Sequence, residues 1–318
     1  MKNIYLNIYK PNLTNLKKAK KNIENNNVIG IPTETVYGLA ANAYSDRSVK
    51  KIFKLKKRPT KNPLIIHFKN LKYLKNDAIL NDNFNKLYKA FCPGPITFIL
   101  NKKLKSKISV IATAKKNTIA VRFPKHKIAR KLLSLLKVPL AAPSANISSK
   151  LSPTSSKDVV DEFKNKIKFI LDGGRSKIGL ESTIVDLTGN PKILRPGFIT
   201  PKKIEKILKR NIKIIKKMKN IKSPGQLKIH YSPGIPVTLK ITSPKKNEAV
   251  IGFGRKFKTG KNHFNLSKNG DLNEAANNLY KTLRKIKNSG FKSIIVNKIP
   301  NIGIGLAIND RLKRASNK

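Results

Sequence analysis

The stretch VIGIPTETVYGL, residues 28–39, carries two signals on which the fold assignment depends. Val28 to Pro32 is a short apolar run, which predicts a buried strand that ends at the proline. The turn after it presents two hydroxyl groups and a carboxylate, from Thr33, Thr35 and Glu34. Because ligands commonly bind where strands end in open α/β sheets, this turn is a candidate binding site. An ordinary Thr/Glu turn leading into a helix has the same pattern, and that alternative stays open.

Outward from this turn, predicted strands and helices alternate along the first 211 residues. Apolar runs typical of strands occupy residues 64–68, 96–100, 119–123, 139–142, 169–171, 182–187 and 193–195. Apolar residues at helical spacing predict helices over residues 14–23, 84–91, 128–136 and 201–211. A further helix, capped by Asp46, must end before Pro59. The alternation favours a mixed α/β sheet.

The remainder of the chain reads as a linker followed by a second, smaller α/β unit. Lysine dominates the start of the segment 212–234, and Ser-Pro-Gly occurs in it twice. Strands are then expected at 236–241, 249–253 and 293–296, and helices after Asp271 and over 306–312. Asp271 with Glu274 three residues later is typical of a capping box. The predicted division is therefore 1–211, 212–234 and 235–318.

Composition excludes several classes of protein. Hydrophobic residues make up 39% of the 318 residues, so a core can be buried and the chain is not a disordered one. The single cysteine, Cys92, excludes an internal disulfide and a site built from several cysteines. No apolar run approaches the roughly 20 residues of a membrane span, and the first residues lack a signal-peptide pattern. We expect a cytoplasmic protein without membrane contact.

The net charge of +53 has two interpretations. A strong positive field attracts polyanions and would steer ATP or RNA towards the protein. However, only 11 of the 69 basic residues are arginine, and lysine, asparagine and isoleucine are frequent along the whole chain. Aromatic residues make up 7%, and no pattern of arginines and aromatic platforms typical of nucleic-acid recognition occurs. A generally lysine-rich, solvated surface is favoured, and RNA contact stays an alternative.

Further polar segments are candidates for a ligand site. They are Lys54–Pro59 with Asn62 and His67, Thr118–Pro124, Ala141–Ser148, Asp172–Arg175 with Glu181–Asp186, and Leu194–Gly197. Arg58 could bind phosphate through two parallel hydrogen bonds. Arg122, inside an apolar strand, needs an anionic partner, which could be a substrate or an acidic residue. Helix-terminal cations, a core histidine and ordinary turns would explain the same segments without a ligand.

Standard nucleotide and catalytic signatures do not occur in the sequence. It contains no Walker sequence, no glycine-rich dinucleotide fingerprint, no serine elbow and no zinc-binding histidine pair. If the chain handles ATP, it uses scattered hydroxyl groups and cations.

In their order along the chain and in their residues, these segments resemble the YrdC-type domain. The resemblance is carried by Pro32–Leu39, Lys57–Pro59, Asn62–Leu64, His67, Pro93–Pro95, Val121–Pro124, Ala142–Asn146, Asp172–Gly174, Ser182–Asp186 and Leu194–Gly197. Ser223–Gly225 and His230–Pro233 resemble the linker of the longer, two-domain members. The implied fold is a twisted mixed sheet with flanking helices, followed by a smaller Rossmann-like α/β domain. Ser149 departs from the pattern, since the family often has glycine there.

The resemblance implies the threonylcarbamoyl-AMP synthase family. Such enzymes use L-threonine, bicarbonate or carbon dioxide, and ATP with Mg²⁺, and they form threonylcarbamoyl-AMP and pyrophosphate. Partner proteins then transfer the threonylcarbamoyl group to the adenosine beside the tRNA anticodon. The implied threonine-binding residues are Thr35, His67, Arg122, Ala142 and Ser182. The implied ATP-binding residues are Arg58, Asn62, Thr118, Ser144, Ser152, Arg195 and Tyr231.

Alternatives differ in what they predict. A carbamoyl-adenylating relative, as in hydrogenase maturation proteins, would carry zinc-finger and acylphosphatase-like segments that this sequence lacks. An RNA-binding module would bind RNA in a salt-sensitive way and be indifferent to threonine. A shorter paralogue is disfavoured by the linker motif, in which Tyr231 would belong to a lid over the site. The sequence assigns no general base, no magnesium ligands and no oligomeric state.

Overall fold

The structure is a computed structural model that describes residues 5–215, 230–239 and 244–316. Its helices are α1 (Leu13–Glu24), α2 (Asp46–Lys56), α3 (Leu71–Leu74), α4 (Asp82–Phe91), α5 (Lys127–Leu135), α6 (Ser156–Phe163), α7 (Pro201–Leu208), α8 (Leu272–Asn288) and α9 (Gly305–Ala315). Its strands are β1 (Ile8–Tyr9), β2 (Ile29–Ile31), β3 (Gly38–Asn42), β4 (Ile65–His67), β5 (Ile96–Asn101), β6 (Thr118–Arg122), β7 (Leu140–Ala141), β8 (Ile170–Leu171), β9 (Thr183–Asp186), β10 (Lys192–Arg195), β11 (Lys213–Ile214), β12 (Val237–Thr238), β13 (Glu248–Gly252), β14 (His263–Asn265) and β15 (Ser293–Val296).

Eleven of these strands form one mixed sheet. Its order is β1-β8-β2-β3-β7-β4-β6-β5-β9-β10-β11. The central strands β4 and β6 are parallel to each other, while β5 and β7 run antiparallel to them. The mixed α/β class predicted from the sequence is therefore confirmed.

Helices cover both faces of this sheet, as the side chains of β3 show. Leu39 and Ala41 belong to the core cluster that includes α2, α4, α6 and α7. Ala40, between them, points to the opposite face and packs with α1 and α5. Alternate residues of a strand face opposite sides of a sheet. A strand that is buried on both faces is therefore apolar throughout. This explains why the predicted strands are short continuous apolar runs.

The second unit is a four-stranded parallel sheet with the order β12-β15-β13-β14. Its longest helix, α8, buries the predicted apolar face, which consists of Ala275, Ala276, Leu279, Leu283 and Ile286. The core of this unit extends beyond it: Val36, Leu151, Leu180 and Tyr231 belong to the same cluster. Loops of the first unit that contain Val36, Leu151 and Leu180 therefore pack directly on the second unit.

Several local predictions differ from the structure. The N-cap of α2 is Ser45 rather than Asp46, because the Ser45 side chain accepts the hydrogen bond from the Ser48 amide. Asp271 caps α8, but Glu274 accepts a hydrogen bond from the Ser267 hydroxyl group and forms no capping box.

Other differences concern whole segments. The turn after Pro32 leads into strand β3 and not into a helix, and β1, α6 and β14 were not predicted. Lys213–Ile214, at the start of the predicted linker, pair in parallel with β10. The predicted motif at 223–225 and the end of the strand predicted at 236–241 lie outside the described residues. Among the helices that are described, none is long and apolar enough to span a membrane.

Candidate active site

Polar side chains converge at one end of the four central strands of the large sheet. The parallel register of β4 and β6 pairs His67 with Arg122 at the carboxyl ends of both strands. The antiparallel strand β5 pairs Thr97 with Arg122 from the other side. Ser182, immediately before β9, has its Oγ 2.7 Å from Oγ1 of Thr97. Sheet pairing alone therefore brings four polar side chains together.

A pocket opens at this end of the sheet. It is lined by Thr33, Val36, Tyr37, Gly38, Arg58, Ile65, His67, Arg122, Ala142, Pro143, Ser144, Glu181, Arg195 and His230. The lining residues come from eight separate segments of the chain, and one of them, His230, belongs to the predicted linker. The turn after β2, residues 33–38, forms one wall of the pocket.

Near Arg122 the pocket contains polar atoms without partners. Both ring nitrogens of His67 and the Nε of Arg122 are buried, and no described residue forms a hydrogen bond with them. Buried polar groups almost always have a hydrogen-bond partner, so these three atoms indicate a place for a polar ligand. Burial and the charge of Arg122 lower the pKa of His67 well below its usual value. Its neutral ring therefore offers one donor and one acceptor.

Arg122 is held by Glu34, from the turn after β2. The Nη2 of Arg122 donates to Oε1 of Glu34 at 2.7 Å. The other carboxylate oxygen accepts from the backbone amides of Lys125 and His126. Burial would raise the pKa of Glu34, but the pairing with Arg122 outweighs it and lowers the pKa. Arg122 thus has an acidic residue as one partner and still presents Nε to the pocket. Both predicted kinds of anionic partner, an acidic residue and a ligand, are therefore compatible with its geometry.

The other end of the pocket is cationic. Arg58 donates from Nε and Nη2 to the backbone oxygen and side chain of Asn62 and to the carbonyl of Pro63, at 2.7–2.9 Å. Arg195 donates from Nε and Nη2 to the backbone and side-chain oxygens of Ser182, at 3.0 and 3.2 Å. Burial, and then the nearby Arg195, lower the pKa of Arg58. Since guanidinium groups stay charged in proteins, the two arginines form a site that favours an anion.

Lys56 organises the loop opposite these arginines, and the sequence reasoning did not select it. Its Nζ is fully buried and donates to the carbonyl oxygens of Ser144 and Asn146. Burial, followed by the charge of Arg58, lowers the pKa of Lys56 well below its usual value. A lysine at the end of an amphipathic, lysine-rich helix gives no sequence signal that distinguishes it from its solvated neighbours. Thr97, within an apolar strand, was missed for a similar reason.

The described segment that begins at His230 closes one side of the pocket. The amide of Ser232 donates to the carbonyl of Ser149 at 2.8 Å. Ser149 has φ 71°, in the left-handed region that favours glycine, which is a physical reason for the glycine expected at this position from the family pattern. Burial lowers the pKa of His230 to about 3, so its ring is neutral. The hydroxyl group of Tyr231 is buried, and no described residue forms a hydrogen bond with it.

The structure thus distributes the predicted site residues between three positions. Six line the pocket: His67, Arg122, Ala142, Arg58, Ser144 and Arg195. Four more contact lining residues: Asn62 and Ser182 through the arginines, Ser152 through Glu181, and Thr35 through Thr33, whose Oγ1 is 2.8 Å away. Tyr231 follows the lining residue His230, and its ring lies against the His230 ring at a tilt of 53°, with centroids 3.9 Å apart.

Thr118 is the exception. It is the first residue of β6, four residues before Arg122, and is not among the lining residues. At about 3.3 Å per residue, that separation is roughly 13 Å along the strand.

The described residues do not form a site for a metal ion of their own. No group of three or more histidine, cysteine, aspartate or glutamate residues among them is arranged to bind one. Glu181 is the carboxylate that lines the pocket, and its oxygens accept hydrogen bonds from Ser152, Tyr280 and Arg311. A magnesium ion would therefore need most of its ligands from a bound phosphate chain.

A buried, partly cationic pocket at the strand ends of a mixed α/β sheet is a typical ligand site of an α/β protein, and comparisons with known proteins identify the family. A family model described as "Telomere recombination", covering Sua5, YciO and YrdC, matches residues 21–197. A second, described as "Threonylcarbamoyl-AMP synthase, C-terminal domain", matches residues 199–317. The chain belongs to the Sua5/YrdC family of threonylcarbamoyl-AMP synthases.

Individual relatives agree with this assignment. Threonylcarbamoyl-AMP synthase of Pyrococcus abyssi is 39% identical, and the alignment covers 92% of each chain. The protein of the same name from Bacillus subtilis is 34% identical over 95% of this chain and 92% of its own length. The crystal structure of Pyrococcus abyssi Sua5 complexed with L-threonine has a TM-score of 0.88 and 35% identity, and covers 97% of this chain and 96% of that one. The family resemblance and the two-unit fold are thereby confirmed, while the domain boundaries stay a prediction.

Proposed function

We propose that the chain is an L-threonylcarbamoyladenylate synthase. It joins L-threonine, bicarbonate or carbon dioxide, and ATP, and releases pyrophosphate. Partner proteins then use the product to make N6-threonylcarbamoyladenosine beside the anticodon of tRNA. The observation that carries the proposal is the division of one pocket into two ends. Unpartnered nitrogens of His67 and Arg122 lie at one end, and Arg58 and Arg195, which donate to neutral oxygens, lie at the other.

Threonine fits the end of the pocket that contains Arg122. Its carboxylate accepts from the free Nε of Arg122, whose orientation Glu34 fixes. The neutral ring of His67 and the small side chain of Ala142 leave room and hydrogen-bonding capacity for the rest of the amino acid. The relative from Pyrococcus abyssi was solved with L-threonine, which supports this choice of ligand.

ATP fits the cationic end. Arg58 and Arg195 neutralise the phosphates, Ser144 offers a hydroxyl group, and Tyr231 with His230 closes the site. Magnesium, when bound with the nucleotide, supplies further neutralisation of the phosphate charge. The predicted contact at Thr118 is the weakest part of this assignment, because of its distance along β6.

The reaction needs positioned reactants more than a protein nucleophile. The amine of threonine captures carbon dioxide as a carbamate, and a carbamate oxygen attacks the α-phosphorus while pyrophosphate leaves. The protein holds two anionic reactants in line and stabilises the charge that develops on the phosphate. This accounts for a pocket built from cations, hydroxyl groups and small residues.

Pyrophosphate release from ATP and bicarbonate, with and without L-threonine, tests the proposal. We expect release to require L-threonine and to be much slower with L-serine, since the pocket also has to recognise the methyl group. Release that ignores threonine, from folded protein with magnesium present, would contradict the proposal. Salt-sensitive RNA binding would then favour the RNA-binding alternative.

A further inference from the structure

Glu181 joins the pocket to the second unit of the chain. This carboxylate lines the pocket and is 5% exposed. One oxygen accepts from the hydroxyl group of Ser152, and both accept from the hydroxyl group of Tyr280, each at 3.1 Å. The Nε of Arg311 donates to Oε2 at 2.9 Å. Two of the three donors therefore lie on α8 and α9, outside the large sheet.

Arg311 makes further contacts that converge on the same end of the pocket. Its side chain is 1% exposed. Its Nη1 donates to the carbonyl of Pro196, the residue after Arg195, at 2.9 Å. Its guanidinium carbon lies 5.2 Å from the ring centroid of Tyr231, and the Tyr280 ring stacks on Tyr231 from 5.9 Å. One side chain thus contacts the Glu181 carboxylate, the loop that follows Arg195, and Tyr231 of the predicted linker.

The charges make this arrangement consequential for an anionic ligand. Burial would raise the pKa of Glu181, but the charges of Arg311 and Arg195 outweigh burial and lower it to about 2. The carboxylate is therefore ionised at neutral pH. Without Arg311, its negative charge would be balanced mainly by Arg195 and would repel phosphate at the place where phosphate is to bind. Arg311 also donates from Nη1 to Asp310 at 2.7 Å, and Asp310 accepts from Arg314 at 3.1 Å. The two carboxylates are thus matched by Arg311 and Arg314, and Arg58 and Arg195 keep their positive charge for a ligand.

We infer that Arg311 is a positioning residue for the nucleotide end of the pocket, so that the second unit completes the site. It compensates Glu181 and fixes the ring of Tyr231, and it does so from α9, which contributes no residue to the pocket lining. This inference rests on the proposed function, because it assigns the nucleotide to that end. It gives the second unit a role in the site, since it names a charge that residues 1–211 lack on their own.

Steady-state pyrophosphate release separates this role from a structural one. We expect Arg311→Gln to raise the KM for ATP about 10- to 100-fold, because a small displacement of binding groups has effects of that order. The KM for L-threonine should change by no more than about twofold, since Arg122 and Glu34 are untouched. Lys313→Gln is the matched control, because it removes the same charge from an exposed position of α9. Equal effects on both KM values, or none, would overturn the inference.

Two further measurements keep the test decisive. Tyr280→Phe removes one hydroxyl group with little change in packing and should raise the KM for ATP in the same direction, but less than Arg311→Gln. Hydrogen exchange at the amides of residues 230–232 should accelerate in folded Arg311→Gln and not in Lys313→Gln. Unchanged exchange would show that Arg311 does not hold this segment, even if the wild-type chain proved inactive. A wild-type chain without threonine-dependent turnover contradicts the proposed function instead.

Discussion

At the scale of single residues, the site is defined by what the fold leaves unpaired. His67 and Arg122 are neighbours because β4 and β6 share a parallel register, and burial keeps water from their free nitrogens. Glu34 satisfies one end of the Arg122 guanidinium and so fixes the direction of the other. A ligand with a carboxylate completes this group of side chains, which is why the arginine geometry should matter more than its charge.

Arg122→Lys tests that expectation, because it keeps the positive charge and removes the planar guanidinium. A lysine cannot bind Glu34 and a ligand carboxylate in two fixed directions at once. We expect the KM for L-threonine to rise about 10- to 100-fold, which corresponds to roughly 1.4–2.8 kcal/mol, with a smaller change for ATP. Pyrophosphate release at varied threonine checks this. Arg130→Lys, at an exposed position of α5, should behave as wild type.

His67 should also leave a signature in the pH dependence of stability. Its pKa is lowered in the folded protein, whereas an unfolded histidine titrates near pH 6.5. Below that pH the unfolded chain binds one proton more, so stability falls as pH decreases, by about 1.4 kcal/mol per pH unit for each such histidine. Urea unfolding between pH 5 and 7 should therefore show a shallower slope in His67→Gln, by about one proton. Ile65→Val, on the same strand, should lower stability without changing the slope.

Ser149 offers a test of backbone strain. Its φ of 71° costs a residue with a side chain about 1–2 kcal/mol. Ser149→Gly should therefore raise the free energy of unfolding by about 0.5–1 kcal/mol, after the greater flexibility of glycine in the unfolded chain is counted. Ser148→Gly should lower it, since Ser148 has no positive φ. A decrease in both variants would contradict the strain argument.

At the scale of secondary-structure elements, α2 illustrates how one helix supports two walls of the pocket. Val49, Ile52 and Phe53 bury its apolar face in the main core, as their helical spacing predicts. The helix then ends at Lys56, with Lys57 in the left-handed conformation. That ending brings Arg58 to the pocket and turns Lys56 inwards to the carbonyl groups of the opposite loop.

Lys56→Met should therefore damage the loop more than the core. The carbonyl groups of Ser144 and Asn146 would lose their donor, which costs about 1–3 kcal/mol for a buried unsatisfied group. Because Ser144 would shift, we also expect a higher KM for ATP. Thermal unfolding and ATP titration of pyrophosphate release check both effects. Lys54→Met, from an exposed position of α2, should change neither by a comparable amount.

The elements also show where sequence reasoning succeeds. Helices with a long apolar face, such as α1 and α8, and strands buried on both sides, such as β5, were predicted within a few residues. The two-residue strands β1 and β11 were not, because neither contains the short run of buried apolar residues on which strand prediction depends. Arg122 was found because a cation in an apolar strand needs a partner, Arg58 because a guanidinium can bind phosphate, and Arg195 through the family resemblance. Glu181 as the counterpart of Arg311 required the fold, since 130 residues separate the two.

At the scale of the whole molecule, the two units behave as one body at the site. The second core includes Val36, Leu151 and Leu180 from the loops around the pocket. The buried Glu181–Arg311 ion pair also connects the two units. Charges buried there are shielded from added salt, while the lysine-rich surface is not. The two populations of charge should therefore respond differently to ionic strength.

We expect the stability of the protein to rise with salt. A net charge of +53 on 318 residues produces strong self-repulsion, which favours the unfolded chain. Increasing NaCl from about 0.01 M to about 0.15 M shortens the screening length from roughly 30 Å to roughly 8 Å, so the melting temperature should increase mainly within that range. A steady increase that continues equally beyond it would indicate salting-out of apolar surface instead.

Salt should have the opposite effect on the binding of ATP, which it weakens. The same screening should raise the KM for ATP, because the surface field and the pocket arginines both attract the nucleotide, while the KM for zwitterionic threonine changes little. Arg311→Gln should keep the salt dependence of the melting temperature, since its charge is buried and contributes little to surface repulsion. If that variant lost the salt dependence of the melting temperature, the buried Glu181–Arg311 ion pair and not the surface lysines would be the origin of the salt effect.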